Sequence, residues 1–224
     1  TTYTTYRDTK MILYCAADRN YFDIYFDLWE KQTSKIYPEL RRHIALYNPT
    51  LEQKEKCIEN NIDFNDITEW FPENPTRNHF YLLRWLYLPY LYQQNILETQ
   101  INCVPVKEQN LPTKVKAQWR VQRPKPKTST GLGGVSAAIF TPEAAKKVVD
   151  QAVKMIKDPP ESDHEMNMWQ MENLEQELCK CEHQIKDKYG EETILPDYTY
   201  WITARTAQRW PHEKKLEALK RFCK

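Results

Sequence analysis

Glu98, Gln100 and Asn102 alternate along the run ILETQINCVPV, residues 96–106. Successive side chains of an extended strand point to opposite faces, so these three share one face. Acidic side chains two apart at a strand end can hold Mg²⁺ or Mn²⁺ against a diphosphate, because hard cations take oxygen ligands. Two of the three residues here are amides, which offer oxygen without charge. A polar face on a half-exposed strand produces the same pattern, and the spacing alone leaves both readings open.

Three of the 4 glycines stand together in STGLGGVSA, at Gly131, Gly133 and Gly134. They suit a sharp turn or a close approach of backbone to ligand, and equally a hairpin or bulge at a strand entry. No strand closely precedes GLGG and no helix opens on it, so a dinucleotide fingerprint does not fit. Cys179-x-Cys181-x-His183 is expected inside a helix, with Cys179 and His183 on one face. Zinc takes four ligands and no others suggest themselves, so a structural role is expected there. The stretch 107–130 carries seven Lys or Arg against one Glu, with Trp119 in its middle. Such a stretch grips nucleic acid or forms a solvated flap over a site.

The elements that must position these residues follow from periodicity. Met11–Ala17 (MILYCAA) is an apolar run predicted as a buried strand ending at Asp18. The following NYFDIYFDLWEKQTSKI has aromatic residues at helical spacing. His43–Tyr47 is a second strand stopped by Asn48-Pro49. A polar helix over 51–60 and a short strand over 62–64 come next. An aromatic helix is expected from His79 to Gln93, kinked or divided at Pro89, its stripe from Phe80 to Tyr92 packing in the core. Residues 96–106 form one strand, and GGVSAAIF, 133–140, another. Thr141-Pro142 has the chemistry of a helix start. Ser162-x-x-Glu165 reads as a capping box opening a long helix to about Tyr189, with Gly190 as its stop.

Alternating strands and helices predict an α/β fold with a mostly parallel sheet. In such sheets ligands sit beyond the carboxyl ends of the strands, which places Asp18, Asn48 and 98–102 near a site. The chain has 224 residues, 41% hydrophobic and 28% charged, with net charge +1. This suits one globular domain and demands neither nucleic acid nor an anionic membrane as partner. No apolar run reaches membrane-spanning length, and the polar start TTYTTYRDTK is not a secretion signal. The 6 cysteines do not form the framework of a small secreted domain, and Asn48 and Asn74 are each followed by Pro, which removes glycosylation acceptors. A reducing cytoplasm is the expected compartment.

The order of these pieces resembles the GT-A glycosyltransferases, in particular the compact phage and viral enzymes of the glycogenin type. The pieces are YCAADRNYFD, HIALYNP, LLRWLYLP, the strand bearing Gln100-Ile101-Asn102, GGVSAAIF, SDHEMNMW and RWPHEKK, over roughly residues 11–215. The resemblance implies a single-domain, Rossmann-like mixed sheet with helices on both faces. It implies a nucleotide-binding half over 11–106 and a sugar- and acceptor-binding half over 107–224. Ala16, Ala17 and Asp18 would meet the base and ribose, and Arg84 the diphosphate. Gln100 and Asn102 would stand where the family's metal-binding aspartates stand, with His212 and Lys215 meeting the metal and phosphate. Gly133, Gly134 and Ser136 would line the sugar side, and Asp163 would approach the transferred sugar.

The implied activity is transfer of a sugar from a nucleotide-diphosphate sugar to an acceptor hydroxyl on carbohydrate, protein or a DNA base. The Gln-Ile-Asn triplet departs from Asp-x-Asp and weakens the case for Mn²⁺ or Mg²⁺. Glu98 or Asp163 would supply the missing charge, or transfer proceeds without metal, or only binding remains. Two alternatives therefore stand beside the transferase: a catalytically inactive nucleotide-sugar or carbohydrate-binding protein of the same fold, and a nucleic-acid-associated or phage DNA-modifying protein using residues 107–127.

Overall fold

The computed structural model describes residues 11–121, 137–179, 182–184, 195, 199–203 and 210–223. Strand β1 (Met11–Asp18) is buried almost along its length and leads into helix α1 (Arg19–Ile36). Strand β2 (Arg41–Tyr47), helix α2 (Leu51–Glu59) and strand β3 (Asp63–Asp66) follow. Helix α3 (Leu83–Leu86) precedes strands β4 (Asn95–Gln100) and β5 (Cys103–Pro105). Strands β6 (Gln118–Val121) and β7 (Ala137–Phe140) lead to helices α4 (Pro142–Met155) and α5 (Asp163–Asn173). The remaining described elements are β8 (Gln176–Cys179), β9 (Glu182–Gln184), β10 (Trp201–Thr203) and α6 (His212–Phe222).

The main sheet has seven strands in the order β3-β2-β1-β4-β7-β6-β8. The pairs β3–β2, β2–β1, β1–β4 and β6–β8 are parallel, and β7 runs antiparallel to both its neighbours. A second sheet orders β5-β10-β9. Apolar cores lie on both faces of the main sheet. Met11, Leu13, Cys15 and Ala17 join Phe22, Phe26 and Trp29 of α1 and Leu219 of α6 on one side. Tyr14 and Ala16 join Trp85 of α3, Val148 of α4 and Met166 of α5 on the other. Burial on both faces explains why β1 reads as a continuous apolar run instead of an alternating one. This single-domain α/β architecture, helices on both faces of a mostly parallel sheet, is the one expected from the sequence.

The helix starts carry local chemistry. Asp18 caps α1 by accepting the Tyr21 N–H at 2.8 Å. Thr50 and Gln53 form a reciprocal capping box on α2, and Thr141 accepts the Ala144 N–H with Pro142 in the first turn of α4.

Several expectations are corrected. The aromatic stretch 79–93 is broken into the 3₁₀ turn Arg77–Tyr81, the one-turn α3 and the 3₁₀ turn Tyr90–Tyr92. Pro89 disfavours helix at the residue before it, and the chain is already extended at Tyr87. The run 96–106 is two strands with Ile101 and Asn102 in the turn between them. The long helix expected to Tyr189 ends at Asn173, and Ser162 makes no side-chain cap bond. Its continuation pairs with β6 instead, Gln118 opposite Gln176 through Val121 opposite Cys179. Cys179 and His183 therefore lie on β8 and β9, strands of different sheets, and share no helical face. The 107–130 stretch is not a flap throughout. Gln118–Val121 is an inner strand, with Trp119 8% and Arg120 3% exposed.

Candidate functional site

Strand β1 has β2 on one side and β4 on the other, so the strand order reverses between β1 and β4. Beyond the carboxyl ends of those two strands lies a cleft of about 550 Å³. Parallel sheets leave a crevice at such a switch point because the chain departs from adjacent strands in opposite directions. Ala16, Ala17 and Asp18 enter it from β1, Gln100 from β4, and Ile101 and Asn102 from the turn that follows. Tyr21 comes from α1, and Arg77, Phe80, Tyr81, Leu83 and Arg84 come from the 77–86 segment.

Arg84 is the best anchored of these residues. Its Nε donates to Glu98 Oε1 at 2.8 Å and its Nη2 donates to Oε2, a two-point pair. The Glu98 side chain is fully buried and that of Arg84 is 13% exposed. The Arg84 guanidinium carbon also sits 4.2 Å from the centroid of the Trp85 ring. Burial pushes the Glu98 carboxyl above the usual carboxylate range, while the guanidinium of Arg84 pulls it back down.

Glu98 belongs to a polar row across the sheet. Asp63, His43, Tyr14, Glu98, Ala138 and Arg120 are successive cross-strand partners from β3 to β6. Arg120 donates to Gln176 Oε1 at 3.0 Å and to Asn167 Oδ1 at 3.3 Å, both neutral groups. Burial, with Arg84 as a like-charged neighbour, holds its pKa down to about 10. One carboxylate thus stands between two guanidinium groups beneath the cleft.

Asn48, where β2 ends, takes a left-handed conformation with φ 52°, which Asn tolerates better than most residues. Its carbonyl accepts from Arg19 Nε at 3.1 Å and its N–H donates to Thr68 Oγ1 at 2.7 Å, outside the cleft lining. On the other flank, the His212 ring meets Tyr21 edge-on at 5.1 Å, and its Nδ1 lies 3.0 Å from Tyr25 Oη. Burial raises the Tyr25 phenol pKa, so the hydroxyl keeps its proton, and the His212 tautomer sets which group donates. Lys215 follows one turn along α6 and is half-buried.

Of the residues singled out from sequence, the cleft gathers Ala16, Ala17, Asp18, Arg84, Gln100 and Asn102. His212 touches a lining residue without lining the cleft itself. Gly133, Gly134, Ser136 and the Asp163 side chain lie outside the described residues. Glu98 does not face the cleft, being buried against Arg84. Sequence reasoning missed Arg77, Tyr21, Phe80 and Tyr81. The one signal for Arg77 was Asn74-Pro75-Thr76, a turn, whose Thr76 N–H donates to His79 Nδ1 at 3.0 Å and shapes the bend that presents it.

Seven strands in this order, β7 reversed among parallel neighbours, with the cleft at the β1–β4 switch, can be set beside solved structures. The galactosyltransferase LgtC, in complex with donor and acceptor sugar analogs, superposes with a TM-score of 0.56 at 13% identity, over 94% of this chain and 95% of that one. The fold is that of the GT-A glycosyltransferases. A glycosyltransferase involved in glycosylation of the major capsid of PBCV-1 matches the GT-A-like chain with a TM-score of 0.53 at 5% identity, over 95% and 99% of the two chains. The bifunctional glycosyltransferase WbbM matches with 0.56 at 8% identity, over 88% of this chain and 46% of its own. At these identities the likeness is one of fold. No protein-family model and no curated protein matches the sequence.

A divalent cation is what the GT-A resemblance implies at the end of β4, and the donor set does not fit one. Among the described residues the cleft offers one carboxylate, Asp18, whose Oδ1 accepts the Tyr21 N–H. Gln100 and Asn102 are neutral, and Arg77 and Arg84 bring positive charge. Among the described residues no group of three or more His, Cys, Asp or Glu is placed to hold a metal ion. Among them, too, no helix is long and apolar enough to cross a membrane.

Proposed function

We propose that the chain binds a nucleotide-diphosphate sugar in the β1–β4 cleft and transfers the sugar to an acceptor hydroxyl. The observation that carries this reading is the cleft itself. It lies at the switch point of a GT-A sheet and combines aromatic walls, two arginines and a pair of side-chain amides. In this reading Ala16, Ala17 and Asp18 meet the base and ribose, with Tyr21 and Phe80 as adjacent ring faces. Arg84 meets the diphosphate. Residues 11–106 form the nucleotide half and 107–224 the sugar and acceptor half. Gly133, Gly134, Ser136 and Asp163 would serve that second half, and Lys215 the phosphate.

Transfer breaks the bond between the anomeric carbon and the β-phosphate oxygen and forms one from that carbon to the acceptor oxygen. The nucleoside diphosphate leaves and the acceptor hydroxyl loses its proton. The protein's share of the catalysis is to position donor and acceptor and to stabilise the charge growing on the departing diphosphate. A fixed guanidinium suits that task because it needs no reorganisation when the charge develops.

A second reading, a nucleotide-sugar-binding protein without transfer, is favoured by the amides at Gln100 and Asn102. The nucleic-acid reading is weakened at three residues. Trp119 and Arg120 are buried in β6, and Lys116 pairs with Glu175 at 2.5 Å.

The experiment is a panel of UDP-, GDP- and CMP-sugars read by thermal shift and by release of free nucleotide with simple sugar acceptors. A shift with nucleotide release supports the transferase, and a shift without release supports the binding protein. No shift with any nucleotide overturns both.

A further inference from the structure

We propose that the cleft holds its nucleotide's diphosphate directly through the guanidinium groups of Arg77 and Arg84, without a bridging divalent cation. This rests on the nucleotide-binding reading above and adds to it how the phosphates are neutralised.

A bridging cation needs charged oxygen ligands to offset the loss of its water. At the end of β4, where β4 meets the cleft, the side chains are the amides of Gln100 and Asn102. The Oδ1 of Asp18 caps the first turn of α1. Among the described residues a cation there would meet one carboxylate, Asp18, and two arginines.

The positive groups are already placed. Arg84 cannot swing away, because two of its five N–H donors are held by the buried Glu98. A preordered guanidinium loses little side-chain entropy on meeting phosphate oxygens. Arg77 lies on the same wall, is exposed, and makes no hydrogen bond or ion pair to the described residues.

The test is calorimetric titration of the full chain with UDP, GDP and CDP, each in EDTA and in Mn²⁺. For the nucleotide that binds, the two dissociation constants should agree within about threefold, less than one charge-assisted hydrogen bond contributes. Arg77→Ala, a change at an exposed position that should leave the melting temperature in place, should weaken binding in EDTA about tenfold. Gln100→Asp combined with Asn102→Asp should weaken binding in EDTA and make Mn²⁺ restore it. Binding by the unaltered protein that needs Mn²⁺ overturns the inference and leaves the nucleotide-binding reading standing. Unchanged affinity in Arg77→Ala, or in the double variant in EDTA, overturns the placement of the diphosphate. No binding of any nucleotide in either condition overturns the inference together with the reading it rests on.

Discussion

Glu98 and Arg84 are joined at two points across the floor of the cleft, with the carboxylate fully buried and the guanidinium at the cleft wall. The pair converts a flexible side chain into a fixed one. It does so at the cost of burying a carboxylate that has Arg120 on its other side. Its net contribution to stability is small, because desolvating both ions offsets most of their attraction, but breaking it from one side is expensive.

Glu98→Gln keeps the shape and removes the negative charge that faces Arg84 and Arg120. Unfolding in urea should show a loss of about 3 kcal/mol, the lower end of what breaking a buried pair costs. An unchanged unfolding midpoint would mean that the two arginines are stabilised by other groups.

Trp29 on α1 donates its indole N–H to Thr99 Oγ1 on β4 at 3.0 Å, and neither residue is exposed. Thr99→Val keeps the volume and orphans the indole N–H, so stability should fall by about 1–3 kcal/mol. Thr99→Ser retains the hydroxyl and should cost less. Denaturant melts of the two variants give the comparison directly, and equal losses would argue against the hydrogen bond as the cause.

His43 is buried on β2, with Nε2 at 2.8 Å from Asn65 Oδ1 and Nδ1 without a partner among the described residues. Burial lowers its pKa from 6.5 to about 4. The unfolded chain therefore takes up this proton more readily than the folded one. The stabilisation is complete above pH 6.5 and is lost as pH falls through 4, amounting to about 3 kcal/mol. His43→Gln should flatten the pH dependence of stability across that window. A dependence as steep as that of the unaltered protein would assign it to other groups.

Tyr25 and His212 tie α1 to the start of α6 through the 3.0 Å contact between Oη and Nδ1. Tyr25→Phe keeps the ring packing and removes the hydroxyl, so a loss of about 1 kcal/mol is expected. Faster amide hydrogen exchange should be confined to the first turn of α6. Exchange that quickens evenly across the molecule would show that the tie is not local.

What the sequence determined by itself was local. The apolar run of β1 and the helix start at Thr141-Pro142 are satisfied within a few residues, so they could be read directly, while the equally local cap at Asp18 and box at Thr50 and Gln53 were passed over. The alternation of such elements was enough for a mostly parallel α/β sheet, whose cleft is lined by Asp18 and Gln100–Asn102. Tertiary structure alone decided what depends on distant partners. Gln176–Cys179 has the composition of a helix and becomes a strand because β6 presents an unpaired edge to it. Trp119 and Arg120 look like surface residues and are buried because β7 and β8 flank them. Glu98 shares its strand face with Gln100, yet only the packing of α3 over the sheet sets it against Arg84 and away from the cleft. Backbone and side-chain partners supplied from dozens of residues away leave no periodicity in the chain, and so nothing local could announce them.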